Sequence, residues 1–322
     1  THNPPYPILS GLVGSEMCIR DRSWIIISLA SAAITALVSI SDKTVIYRYT
    51  RSPLTLPLLI GIAQTTAGFI VIGLTGFPKD VSLAAGLSAF LSGMLFGLSA
   101  ILSQKVLFTQ EVSRTIPITQ SSPIFAAVLA ILLLGESISL LQWLGIIATV
   151  VGSASLSFRT GRGTGNISLD RSFYVLMLSA FLFGAANVVG KAAVDELPVL
   201  FTHGLRSLAL GLVFLLFSVR SAPWADVKGY FLGRSPALIL VGINEFITAQ
   251  IGIVLLLWAL SMGPAALVSA LLGTRAGFVL LFSTTVALVW PGALGEEITP
   301  SVLTVKVVST ALIVIGVIAV VI

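Results

Sequence analysis

The stretch LVGINEFITAQIGIVLLLWALSMGP, Leu240 to Pro264, decides how this chain is read. Apart from a few polar residues it is apolar throughout, and its length suits a bilayer, whose hydrocarbon core takes about 20 residues of helix. Yet Asn244 and Glu245 fall roughly mid-span, where a carboxylate costs about 3 kcal/mol or more. A group held at that cost needs a partner or a task, and the rest of the sequence has to supply one.

The composition sets the class. Of 322 residues, 56% are hydrophobic and only 10% charged, and the mean hydropathy is +1.05. A soluble protein of this size needs a charged surface that this chain lacks. A closed barrel would show short alternating segments instead of long apolar blocks, and an amphipathic surface protein would not commit this much chain to spans. Ten segments emerge, at about 24–42, 54–76, 82–104, 113–134, 139–157, 173–192, 199–219, 236–260, 265–289 and 301–322. The expectation is an all-α membrane protein of ten transmembrane helices.

Residues 1–22, THNPPYPILSGLVGSEMCIRDR, lack both the length of a span and the order of a signal peptide. They are expected to be a disordered or non-native leader. The leader holds Cys18, the only cysteine, so no disulfide is argued.

The remainder reads as one plan used twice: 23–157 and 172–322, separated by the polar linker 158–171. Each half opens with a span bearing a lysine near its end, Lys43 and Lys191. Each closes its fourth span with Leu-Gly-Glu, at Glu136 and Glu296, and then begins a last helix in which Gly152 aligns with Gly316. Ser139 with Gln142 fits a capping box, and Thr299-Pro300 a cap followed by proline. Five spans per half is odd, so the second half must enter the membrane inverted. Inverted repeats place a binding cavity at their interface near the midplane.

The runs EVSRTIPITQSSPIFAAVLAILLLGES (Glu111 to Ser137) and SMGPAALVSALLGTRAGFVLLFS (Ser261 to Ser283), with the ten-span length, resemble the EamA family of the drug/metabolite transporter superfamily. The resemblance covers nearly everything after Trp24. It implies a ten-helix secondary transporter around a central cavity, often an exporter of small metabolites. Pro123 in SSPIF is answered by Ala276 in TRAGF, which leaves symmetric kinking of the fourth and ninth spans in doubt.

Lys43, Arg48, Arg51, Lys105, Arg114, Arg159, Arg162, Arg171, Arg220, Lys228 and Arg234 follow odd-numbered spans, which favours both termini outside. The same bias accounts for a pI near 9.6 without any nucleic-acid partner.

Polar residues recur on single faces. Ser31, Thr35, Ser39 and Lys43 form a stripe on the first span. Gly184, Asn187 and Lys191 share a face of the sixth, and His203 and Arg206 a face of the seventh. On the eighth, Asn244, Glu245, Thr248 and Gly252 fall within about a 100° arc, with Gln250 pointing elsewhere. The ninth carries Arg275. These faces are expected to converge on a hydrated cavity, with Asn187, Arg206, Asn244, Glu245, Thr248 and Arg275 holding substrate or coupling ion. Ser39, Lys43, Lys191 and His203 would form its rim. Glu245 would be neutralised by Arg275 or Arg206, or protonated. The bland reading is a buried ion pair that locks two helices, with the lysines snorkelling to the interface and His203 a packing contact. Glu136 and Glu296 are expected at helix ends in water.

Small-residue ridges, Ala89-Gly93-Gly97 and Ala148-Gly152, suit close helix packing within the chain or in a homodimer. GAANVVGKA resembles a P-loop but has five residues between its glycines where four are needed. No metal-ligand cluster, cofactor motif or catalytic grouping stands out. The sequence-level expectation is therefore a secondary transporter in a bacterial or archaeal plasma membrane. It would export a small polar metabolite, amino-acid-like or an organic anion, by alternating access, with a proton as a candidate coupling ion. The alternatives are a lipid-linked carrier or flippase and a non-transporting assembly subunit; enzymatic activity is not expected.

Overall fold

A computed structural model describes residues 23–50, 52–78, 81–109, 118–155, 171–289 and 300–322. The expected leader 1–22, nearly all of the linker 158–171, Glu296 and the side chain of Lys43 lie outside the described residues.

The chain is an all-α integral membrane protein. Its helices are α1 (Ser23–Arg48), α2 (Thr55–Thr75), α3 (Leu83–Thr109), α4 (Ser122–Leu134), α5 (Leu140–Ser155), α6 (Arg171–Val194), α7 (Val199–Ser218), α8 (Ser221–Leu232), α9 (Pro236–Met262), α10 (Ala265–Leu272), α11 (Arg275–Val289) and α12 (Pro300–Val321). Seven candidate spans are long and apolar enough to cross a membrane: α1, α2, α3, α6, α7, α9, and α10 continued into α11. Expected spans four and five fall on the shorter apolar helices Ser122–Leu134 and Leu140–Ser155, and expected span ten on α12. The expected ninth span is two helices, because Gly273 and Thr274 interrupt it. Helix α8, which hydropathy did not suggest, is a short connector.

Local signals explain several ends. Ser139 and Gln142 form the expected capping box, Ser139 N donating to Gln142 Oε1 (3.0 Å) and Gln142 N to Ser139 Oγ (3.3 Å). Gly135 stops α4 in the left-handed region (φ 66°), which a side chain would strain. The next residue corrects an expectation. Glu136 accepts from Ala265 N (2.6 Å) and Ala266 N (3.2 Å), so it caps α10 instead of sitting at its own helix end in water. Asp226 of α8 similarly takes Ser52 N (3.0 Å) and the Thr55 hydroxyl (2.8 Å) at the start of α2. Tyr230 donates to Tyr49 O (2.7 Å) at the end of α1. The connector thus pins two spans at one membrane face.

Glycines set the main contacts. A Cβ on Gly68 would lie 2.9 Å from Gly204 O, and one on Gly211 3.0 Å from Gly61 O, so α2 and α7 touch through bare backbone. On α5, Gly145 and Gly152 meet Gly316 O (2.8 Å) and Ser309 O (2.9 Å) of α12 in the same sense. In both pairs rising numbers on one helix meet falling numbers on the other, so the helices are antiparallel. The Ala89-Gly93-Gly97 ridge faces α7, with Gly97 against Val213, so both small-residue ridges pack within the chain. Helices α3 and α6 are tied by Ser92 Oγ to Ala186 O (2.7 Å) and Ser179 Oγ to Ser99 O (2.8 Å). Helices α1 and α9 are tied by Ser31 Oγ to Gly252 O (2.9 Å). Such bonds count for more in an apolar interior, where an unpaired hydroxyl has no water to turn to.

Candidate functional site

Polar side chains from α1, α2, α7 and α9 meet in the interior. Glu245 is 2% exposed. Its Oε1 accepts from Asn244 Nδ2 (3.0 Å) and its Oε2 from Gln64 Nε2 (3.4 Å). The same Asn244 nitrogen also donates to Asp42 Oδ1 (2.9 Å), so one amide bridges two carboxyl groups. Beyond Gln64 the chain continues. Gln250 Nε2 donates to Gln64 Oε1 (3.2 Å) and to the carbonyl of Glu245 (2.8 Å), while its Oε1 faces His203 Nε2 at 2.8 Å. A glutamine oxygen only accepts, so His203 carries its proton on Nε2 here.

The backbone of α9 makes this possible. Asn244–Thr248 forms a π-helical turn, with Ala249 N bonded to Asn244 O. A π turn inserts one extra residue, which rotates everything after it by about 100° relative to an unbroken helix. Gln250, expected to point elsewhere, is thereby turned onto the face of Glu245. The predicted arc changes with it. Thr248 is half-buried and adds no side chain to the hydrogen-bonded chain. Gly252 contributes backbone only, a Cβ there falling 2.9 Å from Thr35 Cγ2 of α1.

Neither arginine neutralises Glu245. Arg275, expected deep, is exposed at the start of α11, where the interruption after α10 sets it beside α1. Its Nε donates to Ser39 Oγ (2.9 Å), a second guanidinium nitrogen also reaches that hydroxyl, and its charge interacts with that of Asp42. Arg206 is 1% exposed, and none of its three guanidinium nitrogens has a hydrogen-bond partner among the described residues. The Phe96 ring centroid lies 5.1 Å from its Cζ.

The other expected residues separate. Asn187 is buried and donates to Ser269 Oγ (3.3 Å), joining α6 to α10. Lys191 pairs with Asp195 one turn on, at 2.7 Å, as a surface-side ion pair of α6. Ser39 and His203 do join the polar core, at its open and buried ends. Of the groups expected to line an open cavity, Asn244 and Glu245 bond directly to each other, and Arg275 to the rim residue Ser39.

Three members escaped the sequence reading: Asp42, Gln64 and Ser269. Asp42 had a signal, since it is a carboxylate three residues after Ser39 in SISDKT, the polar end of the first span. Gln64 opens the polar triplet Gln-Thr-Thr in an otherwise apolar stretch and is 1% exposed, a placement that itself marks a group with partners. Ser269 is too common a residue in spans to stand out. What results is a continuous chain of exchangeable groups, from half-buried Asp42 beside accessible Arg275 to buried His203, passing between the first and second halves of the chain.

Residues 22–158 match the EamA-like transporter family. A curated relative from Sinorhizobium sp, "Uncharacterized transporter in cobO 3'region", is 26% identical over 138 residues, which is 42% of this chain and 98% of that protein. A solved crystal structure described only as that of a protein superposes with a TM-score of 0.66, over 92% of this chain and 97% of the other, at 14% identity. That likeness concerns the fold alone.

Proposed function

From the match of residues 22–158 to the EamA-like transporter family we propose a secondary transporter that works by alternating access between two inverted five-helix halves. Its cargo is a small polar metabolite, amino-acid-like or an organic anion, exported across the plasma membrane. The curated relative matches over nearly its whole length with 138 residues, close to one such half, which suits a chain built from two units.

The contacts support the inversion in detail. Take Gly61 and Gly68 as equivalents of Gly204 and Gly211. The contact of Gly68 with Gly204 then becomes, on exchanging halves, the contact of Gly211 with Gly61, and both occur. Taking Gly145 and Gly152 as equivalents of Ser309 and Gly316 likewise maps the α5–α12 contact onto itself. The bond from Ser179 to Ser99 O has its counterpart in Ser31 to Gly252 O. Antiparallel pairing of the second span with the seventh is what an inverted repeat requires.

The observation that carries the functional reading is Glu245. It is a buried carboxyl group with amide partners only, at the meeting of the two halves. In a membrane interior such a group is a functional site by default. We assign it the coupling proton, exchanged by way of Asp42 on the side of Arg275, with Asn244 bonded to both carboxyl groups. A proton moving down 100 mV yields about 2.3 kcal/mol, enough to bias a transport cycle.

The test is flux from proteoliposomes with and without an imposed pH gradient, using a metabolite pool that the wild-type protein moves. Glu245→Gln protein is expected to insert normally and lose the pH dependence. Unchanged gradient-driven flux in that variant would refute the assignment, and absence of any wild-type flux would refute transport.

A further inference from the structure

Arg206 plays no part in the bonded chain, and it is the least explained group in the molecule. It is the bulkiest of the fully buried side chains, and none of its three guanidinium nitrogens meets an acceptor among the described residues. A buried cation without a counter-charge is among the most costly features a fold can hold. Its surroundings are built around it. Phe96 covers it at 5.1 Å. Beside it α6 presents Gly190, where an added Cβ would stand 3.1 Å from Arg206 Nη1 and 3.0 Å from Ser92 Oγ. The planar donor fork therefore packs directly against bare glycine backbone beside a hydroxyl.

We propose that Arg206 is the anion subsite of the transport path and that it takes a single carboxylate of the cargo. The assignment rests on the transporter reading above and narrows its substrate class. A guanidinium presents two parallel N–H donors matched to the two oxygens of a carboxylate. Charge selects among oxyanions: one guanidinium balances one negative charge, whereas a phosphate dianion would leave a net charge buried. The nearest titratable neighbour on α7 is His203, three residues earlier and engaged by Gln250. Lys191, next to Gly190, is engaged by Asp195. Neither supplies the second positive charge that a phosphate would need.

The proposal separates cleanly from a structural role for Arg206. Arg206→Met removes a costly buried charge while keeping bulk, so the variant is expected to insert and to unfold at a temperature equal to or above that of the wild type. Ligand response is read by thermal shift of the purified full chain. The probes are matched pairs: aliphatic and aromatic amino acids and monocarboxylates, each with its primary amide, and inorganic phosphate as a separate arm. Acids from at least one skeleton are expected to stabilise the wild type, their amides and phosphate are not, and Arg206→Met should weaken the acid response on the order of 100-fold in affinity. Gly190→Ala keeps the charge but presses a methyl on Nη1, displacing the fork, and should weaken the same response. Stabilisation indifferent to the carboxylate, stabilisation by phosphate alone, no response to any acid, or an Arg206→Met protein that is less stable yet binds normally would each overturn the proposal. If acid binding fails while Glu245→Gln still abolishes gradient-driven flux, the subsite is wrong and the transporter stands. Loss of all wild-type flux would instead remove the reading on which the subsite rests.

Discussion

At the scale of single residues, the interior is organised by amides instead of ion pairs. Asn244 and Gln64 each hold two groups at once and Gln250 three, and that is why two carboxyl groups and a histidine from different helices can be accommodated together. Gln250 is the clearest case. Gln250→Leu would leave His203 Nε2 and Gln64 Oε1 buried without partners, and each orphaned group costs about 1–3 kcal/mol. The variant is expected to unfold at least several degrees earlier, measured by thermal unfolding in detergent, whereas Thr248→Val should be nearly neutral. Asp42 offers a functional counterpart. If it loads the proton onto Glu245, Asp42→Asn should shift the pH dependence of flux and slow it, and an unchanged profile would exclude Asp42 from the path.

At the scale of elements, the decisive feature is the π turn of α9. The sequence placed Glu245 in a span and identified it as the group in need of explanation, but the periodicity used to choose its neighbours assumed 3.6 residues per turn throughout. One inserted residue was enough to move Gln250 onto the polar face. Nothing in Asn244-Glu245-Phe246-Ile247-Thr248 signals such an insertion, because the turn is held by tertiary bonds from α1, α2 and α7. Arg275 was read within one continuous ninth helix, whereas the break at Gly273 and Thr274 makes it the first residue of α11, beside Ser39. By contrast the capping box at Ser139 was legible because its partners are three residues apart. Deleting Ile247 should restore a regular helix, turn Gln250 away from His203, and abolish flux in protein that still reaches the membrane. Glu136→Ala removes a cap that lies far off in sequence, and should cost about 1 kcal/mol in thermal stability.

At the scale of the whole molecule, the class of fold was written in composition and in the lengths of the apolar runs. The duplicated plan proposed above rests on Lys, Leu-Gly-Glu and Gly landmarks in the sequence. Glycine spacing carries the long-range packing: Gly61 and Gly68 on α2 and Gly204 and Gly211 on α7 repeat at seven residues and touch reciprocally. Gly211→Leu should therefore force α2 and α7 apart and destabilise by about 1–3 kcal/mol. Gly73→Leu, on the same helix as Gly61 but with nothing within 4 Å, should have little effect.

The central claim is that two oppositely inserted halves enclose the polar core around Glu245. It is tested most directly by placing single cysteines at Phe77, after α2, and at Val219, after α7, in a Cys18→Ser background, and labelling intact cells with a membrane-impermeant maleimide. Inversion predicts that one site labels from outside and the other only after permeabilisation; labelling of both from the same side would contradict it.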